Sequence, residues 1–137
     1  MTLRQLLVVD TNALISRLLT PASTAGRAVR KAVDQDRLLA SDATLEELVD
    51  VLSRSKFDPY ITAAERQQFI RLLGRIAEPV IISHAIRICR DPRDDKILEV
   101  AVNGGADLIV TGDADLLVLN PFQGIPIIAP ADYLSRP

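Results

Sequence analysis

Leu6-Leu7-Val8-Val9-Asp10-Thr11-Asn12 is the stretch on which the fold turns. Four consecutive apolar residues bounded by polar ones suit a short strand buried on both faces, as in a parallel sheet covered by helices. Similar runs recur at Leu38 to Ala40, Val80 to Ile82, Leu108 to Val110 and Ile125 to Ile128. Between them the spacing becomes helical: Leu45, Leu48, Val49 and Leu52 follow i, i+3, i+4, i+7, as do Phe69, Leu72, Leu73 and Ile76. Pro59 and Thr62-Ala63-Ala64-Glu65 separate two helices, the second opening on a capping box. Gly104-Gly105 ends a helix that starts near Asp94, and Pro121 to Pro126 is a turn-rich approach to the last strand. The order β-α-α-β-α-α-β-α-β-α-β, closed by a short helix, predicts an α/β fold. Its form is a three-layer α/β/α domain with a central, mainly parallel sheet of about five strands.

With 137 residues, 48% of them hydrophobic, the chain can bury one sizeable core but is short for two, so residues 1–137 are read as a single domain. The formal net charge of −2 neither demands nor excludes a polyanionic partner. Nucleic-acid contact would need a local basic surface, for which Arg27, Arg30 and Lys31, or Arg87, Arg90 and Arg93, are the clusters on offer. The lone Cys89 cannot form an internal disulfide, and the first apolar run stops at Asp10, too soon for a signal-peptide core or a membrane span. The expectation is a soluble cytoplasmic protein that does not enter a membrane. His84 is the only histidine, which argues against a two-histidine ribonuclease or a conventional zinc site.

The acids fall at informative places. Asp10 follows the first apolar run directly, and Asp113 follows Ile109-Val110-Thr111-Gly112. Parallel strands share a carboxyl edge, so both carboxylates emerge together there. Asp91-Pro92-Arg93-Asp94-Asp95 opens another helix, and Glu47 lies near the start of the helix after Leu38 to Ala40. Carboxylates gathered in one place repel one another and lose hydration unless a cation compensates them. Hard Mg²⁺ or Mn²⁺, with oxygen ligands and waters left over for a phosphate and a nucleophile, fits that need. Each acid also has a structural reading. Asp10 and either Asp94 or Asp95 suit helix N-caps, Asp113 and Asp115 suit a surface turn, and Thr44 to Glu47 matches a capping box. Periodicity alone leaves open whether Glu46 or Glu47 faces the strand ends. Joint placement at several strand ends favours the metal reading, and capping and metal binding are compatible because a carboxylate has several lone pairs.

With these motifs in order, the chain resembles PIN domains, particularly the VapC-like toxin components of prokaryotic toxin-antitoxin systems, over almost its whole length. Val8-Val9-Asp10-Thr11-Asn12 resembles the family's first motif, and Glu47-Leu48-x-x-Val51-Leu52 its second, which selects Glu47 over Glu46. Asp91 to Leu98 followed by Gly105-Ala106-Asp107 resembles the third, and Val110-Thr111-Gly112-Asp113-Ala114-Asp115-Leu116 the fourth. The resemblance implies a ribonuclease that uses Mg²⁺ or Mn²⁺ on RNA, frequent homodimerisation and inhibition by a cognate antitoxin protein. It implies catalytic and metal-binding roles for Asp10, Glu47, Asp94, Asp95 and Asp113. Counting back from Gly105 favours Asp94, while the doubled Asp94-Asp95 leaves both as candidates. Asn12, Thr111 and Asp115 are supporting residues. Two rivals are a catalytically inactive PIN module that binds RNA or a protein partner, and a phosphatase or receiver domain. Against the phosphatase, Asp10-Thr11-Asn12-Ala13 lacks a second Asp two residues on.

Overall fold

Alternation along two strands divides the interior into two layers. In the computed structural model, which describes residues 4–137, Leu7, Val9, Leu108 and Val110 join one apolar cluster while Val8 and Ile109 join the other. Successive side chains of a strand point to opposite faces, so a strand covered on both sides must be apolar throughout. These runs belong to β1 (Leu6–Val9) and β4 (Leu108–Val110). Each fully buried Leu or Val here contributes about 1.5–3 kcal/mol by leaving water.

With β2 (Arg37–Ala40), β3 (Glu78–Pro79) and β5 (Ile127–Ile128) they form one five-stranded sheet in the order β3-β2-β1-β4-β5. Every pairing is parallel: Leu7 lies opposite Leu38 and Leu108, Ala40 opposite Pro79, and Val110 opposite Ile128. One face carries α1 (Thr11–Leu19), α2 (Thr24–Gln35), α3 (Asp42–Leu52), α4 (Ala63–Ile76) and α7 (Pro130–Leu134). The other carries α5 (Asp95–Gly104) and α6 (Ala114–Leu117). This is the α/β/α arrangement expected from the element order.

The helix boundaries follow local chemistry. Thr62 and Glu65 exchange capping hydrogen bonds at the start of α4, and Gly105 takes the left-handed conformation (φ 64°) that ends α5. At α3 the box differs from the expected one: Ser41 is the N-cap and exchanges bonds with Thr44, so Glu47 has no capping duty. Lys31 spends its ammonium on the carbonyls of Tyr133 and Arg136, tying the last helix to α2.

The third strand is displaced from the expected Val80 to Ile82 to Glu78–Pro79. Its partner among the described residues, β2, gives its last carbonyl, that of Ala40, to the Val80 amide, and Ser41 then turns into α3. Ile82 has no strand left to join, and the amides of Ser83 and His84 donate to the Asn103 side chain instead. The fifth strand is shorter than expected because Ile125 is committed to a tight turn with Phe122.

Gly26 in α2 is a close-approach position: a Cβ there would lie 2.7 Å from the Thr20 carbonyl oxygen and 2.8 Å from that of Pro21. Backbone cannot yield as a flexible side chain would. Gly26→Ala is therefore expected to destabilise by about 1–3 kcal/mol despite the better helix propensity of Ala. A thermal melt showing equal or greater stability would contradict that packing.

Candidate metal centre

Because all five strands run the same way, their carboxyl ends share one edge, where a cavity of about 540 Å³ opens. Asp10, Glu47, Asp91, Asp94 and Asp113 line it, together with Thr11, Asn12, Arg54, Lys56, Phe57 and Arg93. A second hollow of about 280 Å³ adjoins it through Asp10, Asn12, Ser16 and Asp113, so the acids stand between two openings.

Asp10 is the first residue beyond β1 and is buried. Its Oδ1 accepts the Ala13 amide at 2.9 Å as the N-cap of α1, and its Oδ2 accepts the Thr111 hydroxyl. The capping reading of Asp10 is thus realised, and it uses one oxygen while leaving lone pairs on the other. Burial pushes its carboxyl above the usual carboxylate range, Asp113 adding repulsion and the hydrogen bonds opposing both. Thr111, fully buried at the end of β4, donates to Asp10 while its oxygen accepts the Asp113 amide at 3.0 Å. One hydroxyl therefore sets the spacing of two acids.

Asp94, Asp113 and Asp115 each present an oxygen such that the three lie within 4.8 Å of one another, the tightest carboxylate group among the described residues. Asp94 occupies the N-cap position of α5 but makes no side-chain capping bond. Its carboxyl is pushed up to about 6 by burial first and then by the charge of Asp113, with Asp91 and Asp115 adding to it. Asp113 is held by its own turn, Oδ1 accepting the Asp115 amide at 2.8 Å. Three oxygen donors at this separation, one with its proton affinity raised by burial and by its acidic neighbours, match a hard divalent cation.

Glu47 lines the cavity while the exposed Glu46 borders a separate shallow depression with Asp42 and Asp50. Its Oε2 accepts the Thr11 hydroxyl at 3.1 Å and its Oε1 faces the Lys96 ammonium at 3.8 Å.

Asp95 departs from the expectation for a ligand. Its Oδ1 accepts the amides of Ile88 and Cys89 at 3.1 and 2.8 Å, its side chain is buried, and it lies outside the cavity lining. Burial opposes its charge, but those donors win and hold its carboxyl below the usual range. Neighbours on a helix point about 100° apart, so Asp94 reaches the cavity and Asp95 the preceding chain. Asp115, expected only as support, stands inside the tightest carboxylate group. Cys89, its thiol pushed up to about 12 by burial and Asp95, is an uncharged filler.

Sequence reasoning missed Arg54, Lys56 and the pairing of Lys96, and took Asp91 as part of the third motif without a role in the cavity. Of the basic clusters, Arg93 alone reaches the cavity, held by Asp91 at 2.8 Å. Arg54 and Lys56 carried no signal because they lie in the irregular turn after α3.

Comparison with known proteins bears on the family and the fold. A family model described as PIN domain matches residues 6–115. Among solved structures, the crystal structure of VapBC2 from Rickettsia felis bound to a DNA fragment from their promoter is similar in fold. Its TM-score is 0.58 at 16% identity, covering 90% of this chain and 96% of that one. No curated protein sequence matches.

Proposed function

The chain belongs to the PIN-domain family, and on that premise we propose that it is a divalent-metal-dependent ribonuclease acting as the toxin of a toxin-antitoxin pair. The observation that carries the reading is the convergence of Asp10, Glu47, Asp94 and Asp113, with Asp115 beside them, from four separate stretches of chain at one sheet edge. Structural caps and surface turns have no reason to meet in this way.

Asp94, Asp113 and Asp115 are the residues that would hold Mg²⁺ or Mn²⁺, with Asp10 next to them through Thr111. Such an ion, when bound, supplies Lewis-acid charge at the phosphate and a water of lowered pKa. The chain's own groups do the rest. Arg54, Lys56 and Arg93 on the cavity wall offer positive charge to the flanking phosphates of a strand laid across the acids. Asn12 borders both hollows and can orient substrate or water between them. In the hydrolysis a water oxygen bonds to phosphorus as the P–O3′ bond breaks. The expected products are a 5′-phosphate and a 3′-hydroxyl, the latter taking up a proton.

A cognate antitoxin that covers this cavity, and a homodimer, are part of the proposal. No described helix is long and apolar enough to cross a membrane, and the cytoplasm is the proposed location.

The test is incubation of labelled single-stranded RNA, matched DNA and a phosphomonoester with the purified chain. We expect cleavage of RNA with Mn²⁺ or Mg²⁺, none in excess chelator, and no phosphomonoesterase activity. RNA bound tightly but left intact under every metal would replace the enzyme with a silent binding module. Turnover of the phosphomonoester would replace it with a phosphatase.

A further inference from the structure

Glu47, like Asp91 with Arg93, differs from Asp10, Asp94 and Asp113 in already having a cation. The Lys96 ammonium lies 3.8 Å from its Oε1, and the Thr11 hydroxyl donates to its Oε2, so both oxygens are engaged. The Lys96 side chain is 35% exposed and that of Glu47 17%, which leaves the pair less screened than a surface ion pair. By contrast, among the described residues Asp94, Asp113 and Asp115 have no lysine or arginine within ion-pair distance, and Glu47 is not one of that close group. Of the cations on the cavity wall, Arg93 is committed to Asp91, Arg54 pairs with Asp50, and Lys56 lies over the Phe57 ring.

A two-ion phosphodiesterase needs carboxylates around both cations, which sit about 3.5–4 Å apart. Outside that group the acids placed to serve a second ion are Asp10, already bonded to the Ala13 amide and the Thr111 hydroxyl, and Glu47. Lysine carries a compact, strongly hydrated point charge, chemically closer to a hard cation than a guanidinium is. Resting on the metal-dependent reading above, we propose that each chain binds a single divalent ion at the Asp94, Asp113 and Asp115 group, and that Lys96 takes the place of a second ion at Glu47. Lys96 is then a positioning residue that fixes both the metal stoichiometry and the stance of Glu47.

The test is calorimetric titration of Mn²⁺ into the metal-free full-length protein at pH 7.5, with Lys96→Met, Lys96→Arg and Glu47→Gln beside the wild type. Wild type and Lys96→Arg are expected to bind one ion, and Lys96→Met two, because its neutral stem leaves Glu47 uncompensated. Glu47→Gln is expected to retain one ion with affinity within about threefold of wild type, less than the roughly 10–100-fold loss that follows damage to groups supporting a metal site. Two ions in the wild type, or one in a folded Lys96→Met, overturns the Lys96 assignment and leaves the nuclease reading standing. If Lys96→Met does not fold, Glu47→Gln decides: loss of the ion or of about tenfold or more in affinity makes Glu47 a ligand and refutes the assignment. No binding to the wild type removes the metal-dependent reading itself.

Discussion

Asp94→Asn is expected to lower RNA cleavage by about 10²–10³-fold or more while leaving the metal-free protein as stable as the wild type or more so. Asp95→Ala, one residue on, is expected to act mainly on stability. The two side chains share an element and a charge but have opposite surroundings. Asp94 caps nothing, faces three other acids, and is pushed up to about 6 by burial and their charge, so removing its charge removes repulsion. Asp95 accepts two otherwise unpaired amides, those of Ile88 and Cys89, in a segment that belongs to no strand. Losing a charged acceptor of two hydrogen bonds costs about 2–4 kcal/mol, which should lower Tm by roughly 5–15 °C. The measurements are a labelled-RNA rate in Mn²⁺ and a melt in chelator for each variant. A cleavage-competent Asp94→Asn, or an Asp95→Ala as stable as wild type, would contradict this division of labour.

The second large effect is a change in the pH dependence of stability when metal is removed. Asp10 and Asp94 have folded-state proton affinities raised from their ordinary value of 3.8, that of Asp94 to about 6, so through this range the folded chain holds more protons than the unfolded one. Stability then falls as pH rises through that window. Asp91, beside Arg93, and Asp95 on its amide donors are shifted down, and their contribution is present above 3.8 and lost as pH falls through their lower folded values. In chelator the melting temperature should therefore peak near the acid end of this range and decline toward neutrality. Mn²⁺ must displace the protons on the raised acids, so its stabilisation should be small near pH 4.5 and full above pH 7. At a hundred times the dissociation constant it amounts to about 2.7 kcal/mol. Scanning fluorimetry from pH 4 to 8 with Mn²⁺ or chelator checks this, and Asp94→Asn should flatten the chelator curve. An Mn²⁺ shift of equal size at both ends of the range would show that these carboxylates do not hold the ion.

Much of this was legible from contiguous sequence because the physics is local. Strands β1 and β4 are buried on both faces and so are unbroken apolar runs, and Asp10 and Asp113 follow them closely enough for the parallel sheet to bring them together. The α4 capping box and Gly105 were legible for the same reason. Features set by neighbouring segments were not. Whether Asp94 or Asp95 faces the cavity depends on where the preceding loop presents its amides. The Thr44 to Glu47 pattern imitated a capping box, but α3 starts one residue after Ser41, which makes Thr44 the reciprocal partner. The β3 boundary was set by where β2 runs out of carbonyls. Lys96 and Asp115 acquire meaning only through contacts with Glu47 and Asp94.

A crystal structure of the wild-type protein grown at pH 7.5 with Mn²⁺, its position fixed by anomalous scattering, tests the central claim directly. The account predicts manganese in the cavity at the strand ends, about 2.1 Å from oxygens of Asp94 and Asp113, with Asp95 still on the Ile88 and Cys89 amides. An empty cavity at saturating Mn²⁺, or these acids turned toward solvent with the ion elsewhere, would contradict it.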